Sequence, residues 1–198
     1  MPTNNQALVF GKLRAGLQIF NPQVARPGTL GFLLSKGGDT FIIGAKHVLA
    51  GTRPGLGDPI RQPAGTSDIA IVRRVSATLD CAAAVLNPDQ KFVLELLHIG
   101  VPGPALAPEL GMRVIKVGST TGVTEGVIDR INDNEVTVKP LRDAPLEYHL
   151  TEHGDSGSVW LERDSHSPVA MHFSAQSGGA SVSFAIPWPV VLTELDLL

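Results

Sequence analysis

Short apolar runs of strand length recur along the chain, and glycine- or proline-containing turns separate them. Residues 28–34 (GTLGFLL), 40–45 (TFIIGA) and 69–75 (IAIVRRV) are such runs in the first half, and 113–118 (RVIKVG) and 136–140 (VTVKP) in the second. β-Branched residues are frequent in these runs, and several alternate with polar residues, which is typical of strands. The 21 glycines and 15 prolines are scattered between the runs. The pattern predicts an all-β protein built from hairpins.

The strand pattern divides the chain into two halves. Residues 98–110 carry several prolines and few helix-forming residues, so we interpret them as a linker. We predict one antiparallel β-barrel over residues 1–97 and a second over residues 111–186, with a hairpin turn at Gly178–Gly179. The tail to residue 198 is predicted to be a C-terminal helix, because apolar residues there fall three and four positions apart. Residues 7–20 fit a helix or a strand.

Composition excludes several classes of function. The chain has 198 residues, a net charge of −3 and only 18% charged residues, so no basic surface indicates nucleic acid or an anionic membrane. No apolar run is long enough to span a membrane. Cys81 is the one cysteine and cannot form an internal disulfide, and the sequence MPTNNQALVF lacks the features of a secretory signal. We therefore expect a cytoplasmic protein.

The most informative motif is Gly154-Asp155-Ser156-Gly157-Ser158. A serine between glycines on a tight turn can expose its hydroxyl, while the N–H groups of Gly154 and Ser156 point at one spot and hold a developing oxyanion. Glycine, aspartate and serine are also ordinary turn residues. Taken alone, the motif is equally compatible with a polar β-turn.

A nucleophilic serine needs a neutral imidazole as its base, and the imidazole needs an acceptor on its far nitrogen. His47 follows a predicted strand and is the candidate base, although a histidine at a strand end is more often structural. Two acidic candidates for that acceptor follow it, Asp68 in SDIAIV and Asp80 in LDCAAAVL. The residue types alone leave both open.

The order histidine, aspartate, serine resembles the trypsin/chymotrypsin clan of serine peptidases rather than the subtilisins or the α/β-hydrolases. Within that clan, GDPIRQP, DCAAA and VIKVGSTTGVTEGVI are similar to bacterial trypsin-like peptidases without disulfides, and the likeness runs from Gly28 to Pro187. It implies a serine endopeptidase whose cleft lies between two barrels, with a triad of Ser156, His47 and Asp80. Asp80 is preferred to Asp68 because the aspartate of such relatives opens a D-A-A strand.

Two features depart from the clan. Ser158 stands where many members have glycine. In trypsin-type zymogens a freed N-terminus pairs with the aspartate before the serine. No cleavable activation sequence is present here, so activation by proteolysis is not expected. Asp155 is instead predicted to accept hydrogen bonds from nearby backbone N–H groups.

The resemblance extends to the pocket for the side chain before the cleaved bond. Leu150 occupies the position of the acid that confers basic specificity in trypsin relatives, so cleavage after Lys or Arg is not expected. Thr151 and the strand that contains His172, Phe173 and Ser174 resemble glutamyl endopeptidases and picornaviral main proteases. We therefore predict a preference for Glu or Gln, with protonated His172 favouring Glu near its pKa of roughly 6.5. The alternative is that His172 is buried only for packing.

Other functions remain as alternatives. His149-Leu150-Thr151-Glu152-His153 fits an inverted zinc-protease motif, but that motif needs a helix in a β-rich region, and no metal or cofactor is expected. The glycines at 118, 122 and 126 open no βαβ unit and are interpreted as turns or bulges. A catalytically inactive binding module with the same fold is the second candidate. We expect a protein or peptide substrate and a regulatory protein partner, because unrestrained proteolysis would be toxic to a cell.

Overall fold

The structure is a computed structural model that describes residues 11–145, 147–176 and 182–198. Within these ranges strands are the predominant regular structure and the two helices are short, so the all-β prediction is confirmed. The first half contains β1 (Leu13–Ala15), β2 (Gln18–Phe20), β3 (Pro27–Thr29), β4 (Phe32–Lys36), β5 (Asp39–Gly44), α1 (Lys46–Leu49), β6 (Pro59–Arg61), β7 (Asp68–Val75), β8 (Ala82–Leu86) and β9 (Phe92–Leu96). The second half contains β10 (Arg113–Gly118), β11 (Gly122–Ile131), β12 (Val136–Pro140), β13 (Val159–Glu162), β14 (Pro168–Gln176), β15 (Val182–Pro187) and α2 (Trp188–Glu194).

The N-terminal strands form a seven-stranded sheet in the order β3-β2-β6-β7-β8-β5-β4, and β1 pairs separately with β9. The sheet curves into a half-barrel, which is the form that the predicted N-terminal barrel takes. The edge strand β3 makes a hydrogen bond outside this sheet: the Thr29 N–H donates to the Ser156 carbonyl at 2.8 Å. Its free edge is therefore satisfied by the second half of the molecule, as a strand edge requires.

The C-terminal strands close into a six-stranded barrel in the order β10-β11-β12-β15-β14-β13. Its own core contains Val114, Val138, Leu150 and Trp160, all fully buried. The predicted turn at Gly178–Gly179 lies outside the described residues, but the flanking strands pair antiparallel, with Gln176 opposite Val182. The ambiguous stretch at residues 7–20 contains β1 and β2, and its first residues also lie outside the described part.

Helix α2 follows β15 directly, as predicted, and packs on the N-terminal half. Trp188 contacts Phe32 with ring centroids 5.0 Å apart. Glu194 accepts hydrogen bonds from the hydroxyls of Ser76 and Thr78 in the loop before β8. Helix α2 therefore connects the C-terminal barrel to the N-terminal half through these contacts. Neither helix in the described ranges has the length and apolar character needed to cross a membrane.

Candidate active site

His47 and Asp80 are brought together by two paired strands. His47 lies in α1, just after β5, and Asp80 lies just before β8, with Gly44 opposite Ala82 in the pair. The His47 ring Nδ1 is 2.5 Å from Asp80 Oδ2, and the His47 backbone N–H donates to Asp80 Oδ1 at 2.8 Å. The carboxylate therefore fixes both the ring and the backbone of the histidine.

Asp68 has a different position. It begins β7 and accepts a hydrogen bond from Arg61 Nε at 2.6 Å, while its backbone carbonyl accepts from the Asn87 side chain. Asp80, and not Asp68, is thus the acidic neighbour of His47.

The environment of Asp80 favours its ionised form. Burial alone would raise the carboxyl pKa, but the hydrogen bonds and charge of His47, with a smaller contribution from Lys46, lower it below its ordinary value. Lys46 is itself fixed, because its ammonium group donates to the Ser76 carbonyl at 3.0 Å. An ionised carboxylate on Nδ1 is the arrangement that, in Ser-His-Asp triads, leaves Nε2 to accept a proton.

The loop that carries Ser156 is held by hydrogen bonds to β3. The Thr29 hydroxyl donates to the Gly154 carbonyl at 2.8 Å, and the Thr29 N–H donates to the Ser156 carbonyl. Gly154 has a φ of 102°, a conformation that strongly favours glycine. The Gly157 N–H donates to the His172 carbonyl at 2.8 Å. The loop that carries Ser156 is therefore fixed from both halves of the molecule.

The N–H groups of Gly154 and Ser156 donate to no protein acceptor in the described part of the chain. Two free backbone N–H groups beside an accessible serine can stabilise an oxyanion. Ser156 lines the same cavity as His47 and Asp80. Within the described ranges no hydrogen bond joins the Ser156 hydroxyl to the His47 ring, a contact that commonly tightens only when substrate binds.

Asp155 forms a fully buried ion pair with Lys116, which the sequence analysis missed. Lys116 Nζ lies 2.9 Å from Asp155 Oδ2, and both side chains are 0% exposed. The N–H groups of Thr120, Thr121 and Glu152 also donate to this carboxylate, so the predicted backbone contacts of Asp155 are present. The one signal in the sequence was a lysine within the apolar run VIKVG.

Burial would raise the pKa of Asp155, but the Lys116 cation and the hydrogen bonds from Thr121 lower it to about 2. Burial also lowers the pKa of the Lys116 ammonium group, although the charge and hydrogen bond of Asp155 oppose that shift. The carboxylate next to Ser156 is therefore ionised and compensated by a cation from the chain's own interior. This arrangement needs no newly formed N-terminus.

The shared cavity has a volume of about 650 Å³. The predicted pocket residues Thr151, His172, Phe173 and Ser174 line it. Leu150 does not: its side chain is fully buried in the core of the C-terminal barrel. The expectation that its side chain lines the pocket is therefore corrected.

His172 is 2% exposed, and both of its ring nitrogens contact hydroxyls. Nε2 is 2.8 Å from Thr151 Oγ1, and Nδ1 is 2.8 Å from Ser183 Oγ. The Trp160 indole N–H donates to the same Ser183 hydroxyl. Burial, followed by the nearby Lys116 cation, lowers the pKa of His172 to about 3. The imidazole is therefore neutral near neutral pH, and the titration expected near 6.5 is displaced to acid.

The zinc-type motif at residues 149–153 lies in a loop and not in a helix. His149 Nδ1 lies 2.6 Å from Glu152 Oε1, and no group of three or more metal-ligating side chains occurs in the described ranges. The two histidines do not share a helical face, so the geometry that the motif requires is absent here.

Solved structures with the same fold are bacterial serine proteases. A glutamic-acid-specific serine protease that uses a histidine triad in substrate binding aligns over 91% of this chain and 96% of its own, with 19% identity and a TM-score of 0.73. A Nocardiopsis protease covers 93% and 97% of the two chains with 15% identity and a TM-score of 0.73. For the Cellulomonas bogoriensis chymotrypsin the coverage is 92% and 94%, the identity 18% and the TM-score 0.68. No family model and no curated protein sequence matches the chain. The chain has the chymotrypsin-like fold.

Proposed function

We propose that the protein is a serine endopeptidase that cleaves peptide bonds through an acyl-enzyme intermediate. The observation that carries the proposal is the joint placement of His47, Asp80 and Ser156 around one cavity, with Asp80 on the far nitrogen of the imidazole. A carboxylate, an imidazole and a hydroxyl in that order form the unit that activates serine for attack on a carbonyl.

In the proposed reaction, His47 Nε2 takes the proton of Ser156 as the hydroxyl attacks the carbonyl carbon of the scissile bond. The N–H groups of Gly154 and Ser156 stabilise the oxyanion that forms. His47 then gives the proton to the leaving amine as the C–N bond breaks and the acyl-enzyme forms. His47 next takes a proton from a water molecule that attacks the acyl-enzyme, and returns it to Ser156 as the acid product leaves. Asp80 stabilises the transient imidazolium and holds its orientation.

We further propose that the pocket at Thr151 and His172 accepts Gln or Glu before the cleaved bond. A hydroxyl and a neutral imidazole offer both donors and acceptors, which match a side-chain amide or carboxyl group. An amide or carboxyl group can hydrogen-bond with these groups, whereas an apolar side chain makes no hydrogen bond there, and this gives discrimination. Because His172 is neutral, Gln is favoured near pH 7, and cleavage after Glu gains relative to Gln as pH falls. The similar fold of a glutamic-acid-specific protease supports this assignment.

Labelling with a fluorophosphonate probe and peptide mapping tests the proposed activity. We expect modification at Ser156, and its loss in Ser156→Ala and His47→Ala. Ser158→Ala is the matched control, because that hydroxyl lies two residues away, fully buried and without a hydrogen-bond partner. Labelling should persist in it. A correctly folded protein that neither reacts nor cleaves a peptide library would instead be an inactive binding module.

The library digest also tests the pocket. We expect cleavage after Gln and Glu, and loss of that selectivity in His172→Ala. Cleavage chiefly after aromatic or aliphatic residues by the wild type would refute the pocket assignment. EDTA should leave activity unchanged, whereas inhibition reversed by zinc would contradict a serine mechanism.

A further inference from the structure

A second cavity, of about 320 Å³, lies beside His47 and is formed by the N-terminal half alone. It shares His47 and Arg26 with the main cavity, and its other walls come from residues 23–24 and 51–53. The residues of the proposed Gln/Glu pocket take no part in it. His47 therefore lies between the main cavity and the second cavity.

In the proposed reaction, the main cavity holds the substrate residues before the cleaved bond, and the second cavity holds those after it. The acyl part of a substrate lies over Ser156, with its side chain in the pocket at Thr151 and His172. The leaving amine must lie against the imidazole, because His47 donates the proton to it. Chain that follows the cleaved bond therefore passes His47 and enters the second cavity.

The second cavity continues into a third, of about 610 Å³, through Thr52 and Arg53, which line both. We call the two cavities together the basic groove, after the cations that line it. Those cations are Arg26, Lys46, Arg53, Arg73 and Arg74.

Carboxylates compensate only part of this charge. Asp58 pairs with Arg53, Asp196 pairs with Arg74, and Glu194 also lines the groove. Arg26 and Arg73 have no carboxylate partner among the described side chains. Five cations against three carboxylates leave an excess of two positive charges, on a chain whose net charge is −3.

We propose that the basic groove binds acidic residues on the carboxyl side of the cleaved bond. This specificity rests on the proposed peptidase function. Arg26, which borders both cavities, contacts the residues nearest the bond, and Arg73 contacts residues further along. The contacts are exposed, so each is worth roughly two- to five-fold, the range typical of surface ion pairs.

Internally quenched peptides test the groove. The peptides keep one sequence before the cleaved bond, with the residue that the library digest selects, and carry Ala-Asp-Asp, Ala-Ala-Ala or Ala-Lys-Lys after it. We expect kcat/KM to fall in that order, mainly through KM, and the differences to shrink at high salt. Arg26→Gln and Arg73→Gln should each reduce the differences in kcat/KM between the three peptides. Arg113→Gln is the control, since Arg113 lies on the C-terminal barrel and pairs with Glu125. Equal kcat/KM for the three peptides would overturn the proposal.

A binding assay separates this inference from the proposed activity. Ser156→Ala protein is titrated with fluorescent versions of the same peptides, and polarisation reports affinity without turnover. Tighter binding of the Asp-Asp peptide, weakened by Arg73→Gln, supports the groove even if the wild-type protein cleaves nothing. Cleavage by the wild type with equal binding of all three peptides would leave the peptidase function standing and overturn the groove.

Discussion

One carboxylate, that of Asp80, holds both the backbone and the ring of His47, at 2.8 Å and 2.5 Å. The two contacts use different carboxylate oxygens, so replacing either oxygen removes one of the two hydrogen bonds. The ring contact sets the tautomer of the imidazole, and the backbone contact fixes the start of α1.

Replacing Asp80 by asparagine tests this relationship. The amide cannot stabilise an imidazolium and favours the wrong tautomer, so kcat should fall roughly ten-thousandfold, as in the triad's best-studied example. Asp68→Asn is the control and should change kcat little, because Asp68 pairs with Arg61. The measurement is peptide hydrolysis, with circular dichroism to verify the fold. A larger loss in Asp68→Asn would refute the assignment.

The features of the fold that could be predicted from sequence are those that depend on local residue patterns. Strand-length runs predicted the all-β class, and the apolar spacing of the tail predicted α2. The missed parts depend on contacts far apart in the chain. Lys116 and Asp155 are 39 residues apart, and periodicity does not reveal that an interior lysine has a partner. The contact between Thr29 in β3 and Ser156 was missed for the same reason.

Gly31 sets how closely the two halves approach at the loop that carries Ser156. A Cβ at Gly31 would lie 1.9 Å from the Gly157 carbonyl oxygen, so Gly31→Ala must displace that loop. We expect a destabilisation at or above the roughly 1–3 kcal/mol typical of overpacking, with loss of fluorophosphonate labelling. Chemical denaturation measures the first and gel fluorescence the second. Gly11→Ala, where a Cβ meets nothing within 4 Å, should stay within about 0.5 kcal/mol of wild type.

The buried pair of Lys116 and Asp155 should be much more important than a surface pair. Lys116→Met leaves an uncompensated carboxylate in the interior, so the free energy of unfolding should fall by about 3–5 kcal/mol. Lys139→Met removes a partner of Asp129 at a comparable distance of 2.7 Å, but both of those side chains are partly exposed. Its cost should be about 0–1 kcal/mol.

Denaturant titration of both variants at pH 7 provides the comparison. A Lys116→Met protein as stable as Lys139→Met would show that Asp155 is not held by the lysine charge. Labelling of Ser156 should also fall in Lys116→Met, because Asp155 is adjacent to the nucleophile and its carboxylate orders the residues around 120 and 152.

The neutral, buried state of His172 makes stability depend on pH. Its pKa is about 3 in the folded protein against an ordinary 6.5, so between these values the unfolded chain binds a proton that the folded protein excludes. The free energy of unfolding is therefore greatest above pH 6.5 and falls as pH is lowered through this window, by up to about 1.4 kcal/mol per pH unit. His172→Gln should flatten this slope between pH 6.5 and 4, a range that lies above the titration of Asp155. His98→Asn, at an exposed position, should keep the wild-type slope. Urea titrations at half-unit pH steps measure all three proteins, and an unchanged slope in His172→Gln would show that His172 takes up its proton while the protein is folded.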